Sequence, residues 1–497
     1  MNGQTAALVL SACVAAATGQ PAVVNREAIR PFFEKLVSGR ADVVCIGDSN
    51  QLQIGLGWDY GWHLALGRRY GMYATGLASL GEGEGYGAGV GHGFASYSTR
   101  SSGQFDYSGA PIDLHSFLNN PPSLLGPLNY VYVPEGRVVP GGVLCGVSHS
   151  PICAVSVNNP LRYHFTFGLF AGSGLGSFRP YLRRDSAPFT TLVEGPMLST
   201  RESSSGGPRV VSGSIDLDRG RRSYPIGLRF AGPSEFITGP FLAYYARCED
   251  RSAARGCSIH TLYAVGSQSA RDMAGALIAS GDETLSLFFT KVRELQDEPR
   301  RILVRINTAL NDRAENLPSI NGITPGNSAA AHEDNLRAII ARITGIWSLN
   351  EWDPEELYFL LTPSHPVSLP DEPALIAFRQ RAESVALSTP RTAVVRLDLL
   401  TDAPEMLSNV WYAQNGFDRN HLTPAAYEAL SEREVLALIA LACRADFNGD
   451  GGIDGADVDA YFAAWRTGDA LTDMNEDGGV DGADVERFYE LWEAAEC

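Results

Sequence analysis

The chain has no long apolar run, no Cys-x-x-Cys pair, no His-Glu-x-x-His motif and little charge. Its longest uncharged apolar stretch, Ala6 to Ala17, falls short of the ~20 residues that span a bilayer as a helix, so no membrane span is expected. Without those Cys and His spacings, catalytic zinc has no support. Only 19% of the 497 residues are charged, and 57 acidic residues outnumber 39 basic ones. That balance argues against a nucleic-acid binder, which needs a basic surface to neutralise phosphates. The 44% hydrophobic content leaves room for two or three folded units with full cores, and disorder is not expected as the main state.

The acidity is local. From Cys443 to Cys497 there are 15 acidic and 3 basic residues, a net of −12, against −6 for everything before. Such a concentration points to a cation site in the tail. At the other end, residues 1–20 read as a signal peptide with Ala6 to Ala17 as its apolar region, although the basic start is missing and a first helix is the alternative. Leu10-Ser11-Ala12-Cys13 also resembles a lipoprotein box. Cys13 and Cys45 sit in apolar stretches and read as small hydrophobes. The other six cysteines group by proximity as Cys145 with Cys153, Cys248 with Cys257, and Cys443 with Cys497. They read as disulfides of a secreted, periplasmic or cell-surface protein, with six buried thiols as the alternative.

Residues 25–95 begin as α/β, with a helical stretch, the buried-strand run Asp42 to Ile46 and the turn Gly47-Asp48-Ser49-Asn50. The glycine-rich run Gly81 to Gly93 then breaks regular structure. Residues 96–258 carry short β-rich runs separated by turn residues, the pattern of an antiparallel sandwich or jelly roll. From Ile259 to residue 442 strands alternate with helices again, including IHTLYAV, ILVRIN, ELYFLLTP and TAVVRLDL. The expected architecture is therefore one parallel-sheet α/β domain, residues 25–95 and 259–442, interrupted by a β-sandwich insertion and followed by a small tail module, residues 443–497.

Three short stretches carry chemistry. In Gly47-Asp48-Ser49-Asn50, an apolar strand ends in a tight turn before a helix, which sets Ser49 at the carboxyl edge of a sheet. In Asp418-Arg419-Asn420-His421, followed by Leu422-Thr423-Pro424, Thr423 and Pro424 read as N-cap and first residue of a helix. The positive end of that helix dipole keeps His421 neutral and able to accept a proton, and Asp418 can bond its other ring nitrogen across a turn. Asn311-Asp312 follows the strand ILVRIN, where a side-chain amide can donate to an oxyanion. Taken singly, each is more often a turn or a cap.

Together, and in this order, they resemble the SGNH (GDSL-like) hydrolases. The resemblance implies a flavodoxin-like three-layer α/β/α domain, with Ser49 as nucleophile, His421 as base and Asp418 as its orienting partner. It implies an oxyanion hole from the Ser49 backbone, Asn311 and a glycine. Gly266, after IHTLYAV, is the favoured glycine and Gly76 the alternative. Ala309 stands where the family's third motif has glycine.

In the tail, DFNGDGGIDGAD (446–457) repeats as DMNEDGGVDGAD (473–484), offset by 27 residues. Oxygen-bearing side chains recur as Asp446, Asn448, Asp450, Asp454 and Asp457, then Asp473, Asn475, Asp477, Asp481 and Asp484. The carbonyls of Gly452 and Gly479 fit position 7 of two EF-hand-type calcium loops. The aromatics Tyr461, Phe462 and Trp465 recur as Phe488, Tyr489 and Trp492, so two loop–helix units can bury them only by pairing. With Asp at position 12, this pattern resembles a dockerin-type module. The resemblance implies structural Ca2+ at both loops, with none needed for catalysis, and a cohesin-like protein as a candidate partner.

These readings lead to an exported serine esterase that removes O-acetyl or other short acyl groups from a carbohydrate. Trp58, Tyr60 and Trp62 are candidates for stacking on sugar, or for core packing. Two other readings stand beside it: a non-catalytic carbohydrate-binding protein on the same scaffold, and a carbohydrate O-acyltransferase using the same triad.

Overall fold

In the computed structural model the described residues are 22–52, 57–74, 90–91, 94–95, 131–133, 143–148, 162–171, 177–184, 191–199, 209–218, 226–231, 241–249, 251, 253–264, 269–312, 328–367, 372–413, 418–439, 445, 447, 453–466, 468, 472, 474–475 and 479–494. An edge strand, β1 (Val23–Val24), leads to helix α1 (Arg30–Ser38), which buries Phe32, Phe33 and Leu36. Strand β2 (Arg40–Gly47) is followed by the one-turn helix α2 (Ser49–Leu52) and by α3 (Trp58–Tyr70). The α/β pattern resumes with β3 (Gly256–Ala264), α4 (Ala270–Ala279), α5 (Asp282–Arg293) and β4 (Ile302–Thr308). Next come α6 (Ala329–Leu349), β5 (Leu357–Pro363), α7 (Glu372–Ser388) and β6 (Thr392–Val395). The unit closes with α8 (Leu397–Leu400), α9 (Ala403–Ser408), the hairpin β7 (Tyr412–Ala413) and β8 (Asp418–Leu422), and α10 (Pro424–Ile439).

The sheet runs β1-β6-β5-β4-β2-β3, parallel throughout except for β1. Counted from β2, its parallel strands follow the order 2-1-3-4-5 of a doubly wound fold. The order reverses between β2 and β4, and the crevice outside their carboxyl ends is where such sheets bind ligands. Strands buried on both faces read as continuous apolar runs. Alternate residues therefore serve two cores. Val44, Ile46, Val304 and Ile306 pack under α4 to α7, whereas Val43, Cys45 and Leu303 pack under α1, α3 and α10. Each fully buried Leu, Ile or Phe contributes about 1.5–3 kcal/mol.

Three local expectations change. TAVVRLDL is a strand only to Val395, because Arg396 turns to ion-pair with Asp398 and Glu383 while Leu397–Leu400 form α8. The 21-residue helix α6 falls between the strands read from sequence, its stripe of Leu336, Ile339, Ile340, Ile343 and Trp347 facing the core. The Cys248–Cys257 disulfide is corrected. β3 starts at Gly256, so Cys257 belongs to the parallel sheet opposite Ala41, a buried thiol whose Sγ lies 3.6 Å from the Ser258 carbonyl. Cys45 is a buried thiol, as its apolar strand requires. Cys13, Cys145, Cys153, Cys443 and Cys497, with residues 1–20, fall where no side chain is described.

Between α3 and β3 the described strands form two antiparallel sheets, one of seven strands within residues 90–199 and 226–231, the other of four within residues 131–133, 162–171, 209–218 and 241–249. In the tail, α11 (Gly455–Trp465) and α12 (Gly482–Ala494) pair about the stacked rings of Tyr461 and Phe488, whose centres lie 4.1 Å apart. The pairing is reciprocal. Trp465 Nε1 donates to the Asp481 carbonyl at 3.1 Å, and Trp492 Nε1 donates to the Asp454 carbonyl at 2.9 Å.

Candidate active site

The site forms at the carboxyl ends of β2 and β4. β2 ends at Gly47, where a Cβ would lie 2.7 Å from the Gln51 Cβ, so only glycine lets α2 fold back this tightly. Ser49 is the first residue of α2. Its flanking residues Asp48, Asn50 and Gln51 are all about 1% exposed and each is bonded. Asp48 Oδ1 accepts the Asn50 backbone N–H at 2.9 Å, and the Gln51 N–H reaches the Asp48 carbonyl at 3.1 Å. Tyr427 on α10 donates its hydroxyl to Asn50 Oδ1, and Arg305 on β4 donates to Gln51 Oε1 at 3.2 Å.

Asn311 comes to the same point. Its Nδ2 donates to Asp48 Oδ2 at 3.1 Å, which fixes the amide beside the Ser49 turn. The neighbouring carboxylate, Asp312, accepts the N–H of Ala309 at 3.2 Å and that of Ala270, the first residue of α4, at 3.1 Å. The His332 Nδ1 lies 3.1 Å from Asp312 Oδ1. Asp312 thus joins the Asn311 loop to the segment that enters α4. Ala309 has φ of 79°, in the left-handed region that favours glycine.

His421 lies on β8, half-buried, and α2 packs against this strand. The expected turn from Asp418 to His421 is a bulged strand. Adjacent residues Tyr412 and Ala413 pair with Leu422 and Asp418, so the residues between are looped out and the two ends lie far closer than in a straight strand. Pro424 opens α10 as expected, but Thr423 Oγ1 makes no capping bond; the turn is held by the Ala426 N–H to the Thr423 carbonyl at 3.0 Å.

Burial pushes the Asp48 carboxyl up to about 6, against the opposing pull of the Asn50 N–H and of the His421 imidazole when it is protonated, while Asp312 raises it further. His421 and Asp312 are therefore both within electrostatic reach of Asp48. The structure bonds Asn311 beside the Ser49 turn and packs β8, the strand of His421, against α2. The side chains of Ser49 and Asp418 lie outside the described set, as do Gly266 and Gly76.

No family model and no curated protein matches the sequence. Several of the solved structures to which the chain is similar are esterases, and another is a salicylyl-acyltransferase. One is a peptidoglycan O-acetylesterase, at a TM-score of 0.45 and 11% identity over 83% of this chain and 93% of that one. Another is a carbohydrate esterase family 2 enzyme with a carbohydrate-binding domain from Corynascus thermopiles (Myceliophthora fergusii), at 0.26 and 14% over 63% and 99%. A third is a family two carbohydrate esterase from Clostridium thermocellum, at 0.23 and 9% over 55% and 89%. Likenesses this low leave the chemistry to the site's own atoms.

The sequence reading missed the residues that hold the Ser49 turn: Asp48, Asn50, Gln51, Arg305 and Tyr427. One signal was visible, a lone Arg inside the apolar strand ILVRIN. Trp58 and Trp62 are corrected as sugar-stacking candidates, since both are fully buried against the Arg305 guanidinium, 5.1 Å from each ring centre. The Tyr60 side chain lies outside the described set.

In the tail, Asp457 and Asp484, at position 12 of each loop, are fully buried. Asp484 accepts the N–H groups of Met474, Asn475 and Asp481 at 2.8, 3.2 and 2.7 Å, and Asp457 accepts that of Asp454 at 2.8 Å. Asp446, Asn448, Asp450, Gly452, Asp473 and Asp477 lie outside the described residues. Among the described residues no group of three or more His, Cys, Asp or Glu side chains is placed to hold a metal ion, and no helix is long and apolar enough to cross a membrane.

Proposed function

We propose that the chain is an exported serine esterase of SGNH type that hydrolyses short acyl esters on a carbohydrate. The observation that carries this reading is the bond from Asn311 Nδ2 to Asp48 Oδ2, made at the switch point of the sheet with His421 in electrostatic reach. On this reading three segments far apart in sequence meet beside one serine. In the mechanism, His421 removes the Ser49 hydroxyl proton as Ser49 attacks the ester carbonyl. The tetrahedral oxyanion accepts hydrogen bonds from the Ser49 N–H, the Asn311 amide and the N–H of Gly266 or Gly76, each worth about 3 kcal/mol. The alcohol leaves with the proton that His421 returns, and water then hydrolyses the acyl-enzyme by the same route. Asp418 holds the imidazole in the tautomer that accepts the proton.

The β-rich segment is read as a sandwich that helps grip the polymer, and the tail as a dockerin-type module with two structural Ca2+ ions and a cohesin-like partner. What supports the calcium reading is the repeated run of oxygen-bearing side chains in the sequence, with Asp457 and Asp484 buried and bonded to backbone N–H groups of their own loops. The test is turnover of acetylated polysaccharides and short-chain aryl esters by wild type and Ser49→Ala, with fluorophosphonate labelling alongside. Labelling and turnover that vanish together in Ser49→Ala support the reading. Equal turnover by both proteins removes Ser49 from the mechanism.

A further inference from the structure

Strand β4 carries a guanidinium in the middle of its buried run, and Arg305 is 0% exposed. Its Nε and Nη2 donate to the two carboxylate oxygens of Glu434 at 3.2 and 3.0 Å, and its Nη1 donates to Gln51 Oε1 at 3.2 Å. The plane lies against Trp58 and Trp62, and the Trp62 indole N–H donates to Glu434 Oε2 at 2.8 Å. Glu434 is also fully buried.

These contacts join the three elements that carry the site. Arg305 lies on the strand that leads into Asn311. Gln51 follows Ser49 by two residues on α2. Glu434 lies on α10, the helix that begins just after His421. A buried ion pair seldom stabilises a fold more than apolar residues of the same volume. Among Trp58, Trp62 and Leu303, a Met and a Leu would fill the space. What they would lack is direction, because the planar fork of a guanidinium fixes both the angle and the distance of its partners.

We propose that Arg305, held by Glu434, is a positioning residue that sets the Ser49 turn in register with the Asn311 loop and with α10, the helix that follows His421. The proposal rests on the esterase reading above. It accounts for a costly charge pair in a core that apolar residues could fill, since a displacement of about 1 Å at reacting groups lowers the rate by about 100-fold.

The test uses the full chain with 4-nitrophenyl acetate as substrate and compares wild type, Ser49→Ala, Gln51→Leu and the double variant Arg305→Met with Glu434→Leu. Because the double variant takes away the buried partners of the Trp62 indole N–H and of Gln51 Oε1, it is expected to melt below wild type yet remain folded, and to keep KM within about threefold while kcat falls by about tenfold or more. Fluorophosphonate labelling of Ser49 should slow in parallel. Gln51→Leu cuts only the bond from the guanidinium to α2 and leaves the ion pair intact; it should also lower kcat with little change in KM. Turnover that depends on Ser49 yet survives unchanged in the double variant overturns this proposal alone. Should the double variant fail to fold, unchanged kcat in Gln51→Leu overturns it. Equal turnover by wild type and Ser49→Ala overturns the esterase reading and this proposal with it.

Discussion

Asp48 ties the stability of the α/β unit to pH in a way that one substitution isolates. Burial holds its carboxyl near pKa 6 instead of its ordinary 3.8. Between those values an unfolded chain has released a proton that the folded chain keeps, so stability falls as pH rises. The contribution is complete below about pH 4 and gone by about pH 7, and at about 1.4 kcal/mol per pH unit it amounts to about 3 kcal/mol. Asp48→Asn removes the titration and keeps the shape. At pH 4 the variant should be about 1 kcal/mol less stable than wild type, because its amide turns a donor toward either the Asn50 N–H or the Asn311 amide. At pH 7 it should be about 2 kcal/mol more stable. Urea unfolding followed by tryptophan fluorescence reads this directly, since Trp58 and Trp62 are fully buried in the unit. On the proposed mechanism the same variant should lose about tenfold or more in kcat when its amide turns the donor toward Asn311, because the bond that would hold Asn311 as an oxyanion donor is then lost. Stability differences that stay constant from pH 4 to pH 7 would refute the burial argument, and a fully active variant would refute the role given to the bond.

Further predictions follow from single contacts. Ala309→Gly should lie within about 1 kcal/mol of wild type in urea unfolding, because relief at its φ of 79° is offset by a lost buried methyl and a freer unfolded chain. Ala309→Val should cost more than about 2 kcal/mol, since a branched side chain fits neither that backbone nor the closed space. Phe488→Ala removes the ring stacked on Tyr461 and should lower the melting temperature of the tail by an amount corresponding to about 3–5 kcal/mol. Isothermal titration with Ca2+ should find two sites in the tail, and chelation should lower its melting temperature; neither effect is expected if the repeats hold no cation. Cys45 and Cys257 should react with iodoacetamide only after unfolding, and labelling of the folded protein at Cys257 would contradict its burial.

Much of the α/β unit was legible because its strands declare themselves. DVVCI, ILVRIN and LYFLLTP are apolar on both faces, as parallel strands covered by two layers of helix must be. The start of α10 was legible from Pro424, although Thr423 Oγ1 makes no capping bond there. Closeness in sequence misled at Cys248 and Cys257. The two stand on strands of different sheets, and the short connection between them hides that change of partner. Trp58 and Trp62 were ambiguous for a related reason. An aromatic in a helix next to a nucleophile reads equally as a sugar platform or as core, and the deciding neighbour, Arg305, is supplied by another element.

The candidate site shows the same limit more sharply. Gly-Asp-Ser-Asn is a weak motif because everything that makes it more than a turn arrives from a distance. Asp48 is bonded to Asn311, Asn50 to Tyr427 and Gln51 to Arg305, across separations of 263, 377 and 254 residues. A local reading sees in Asp48, Asn50 and Gln51 three polar side chains that suit solvent. The fold buries all three and satisfies each with a partner from a different element, so the turn becomes the place where β4, the Asn311 loop and α10 are tied together. Rigidity of this kind is what a serine nucleophile needs, because its hydroxyl must meet an imidazole and an oxyanion site at fixed distances. The lone Arg in ILVRIN was the sequence's mark of that arrangement: a charge in a fully buried strand implies a partner elsewhere, and the position of that partner implies which elements meet.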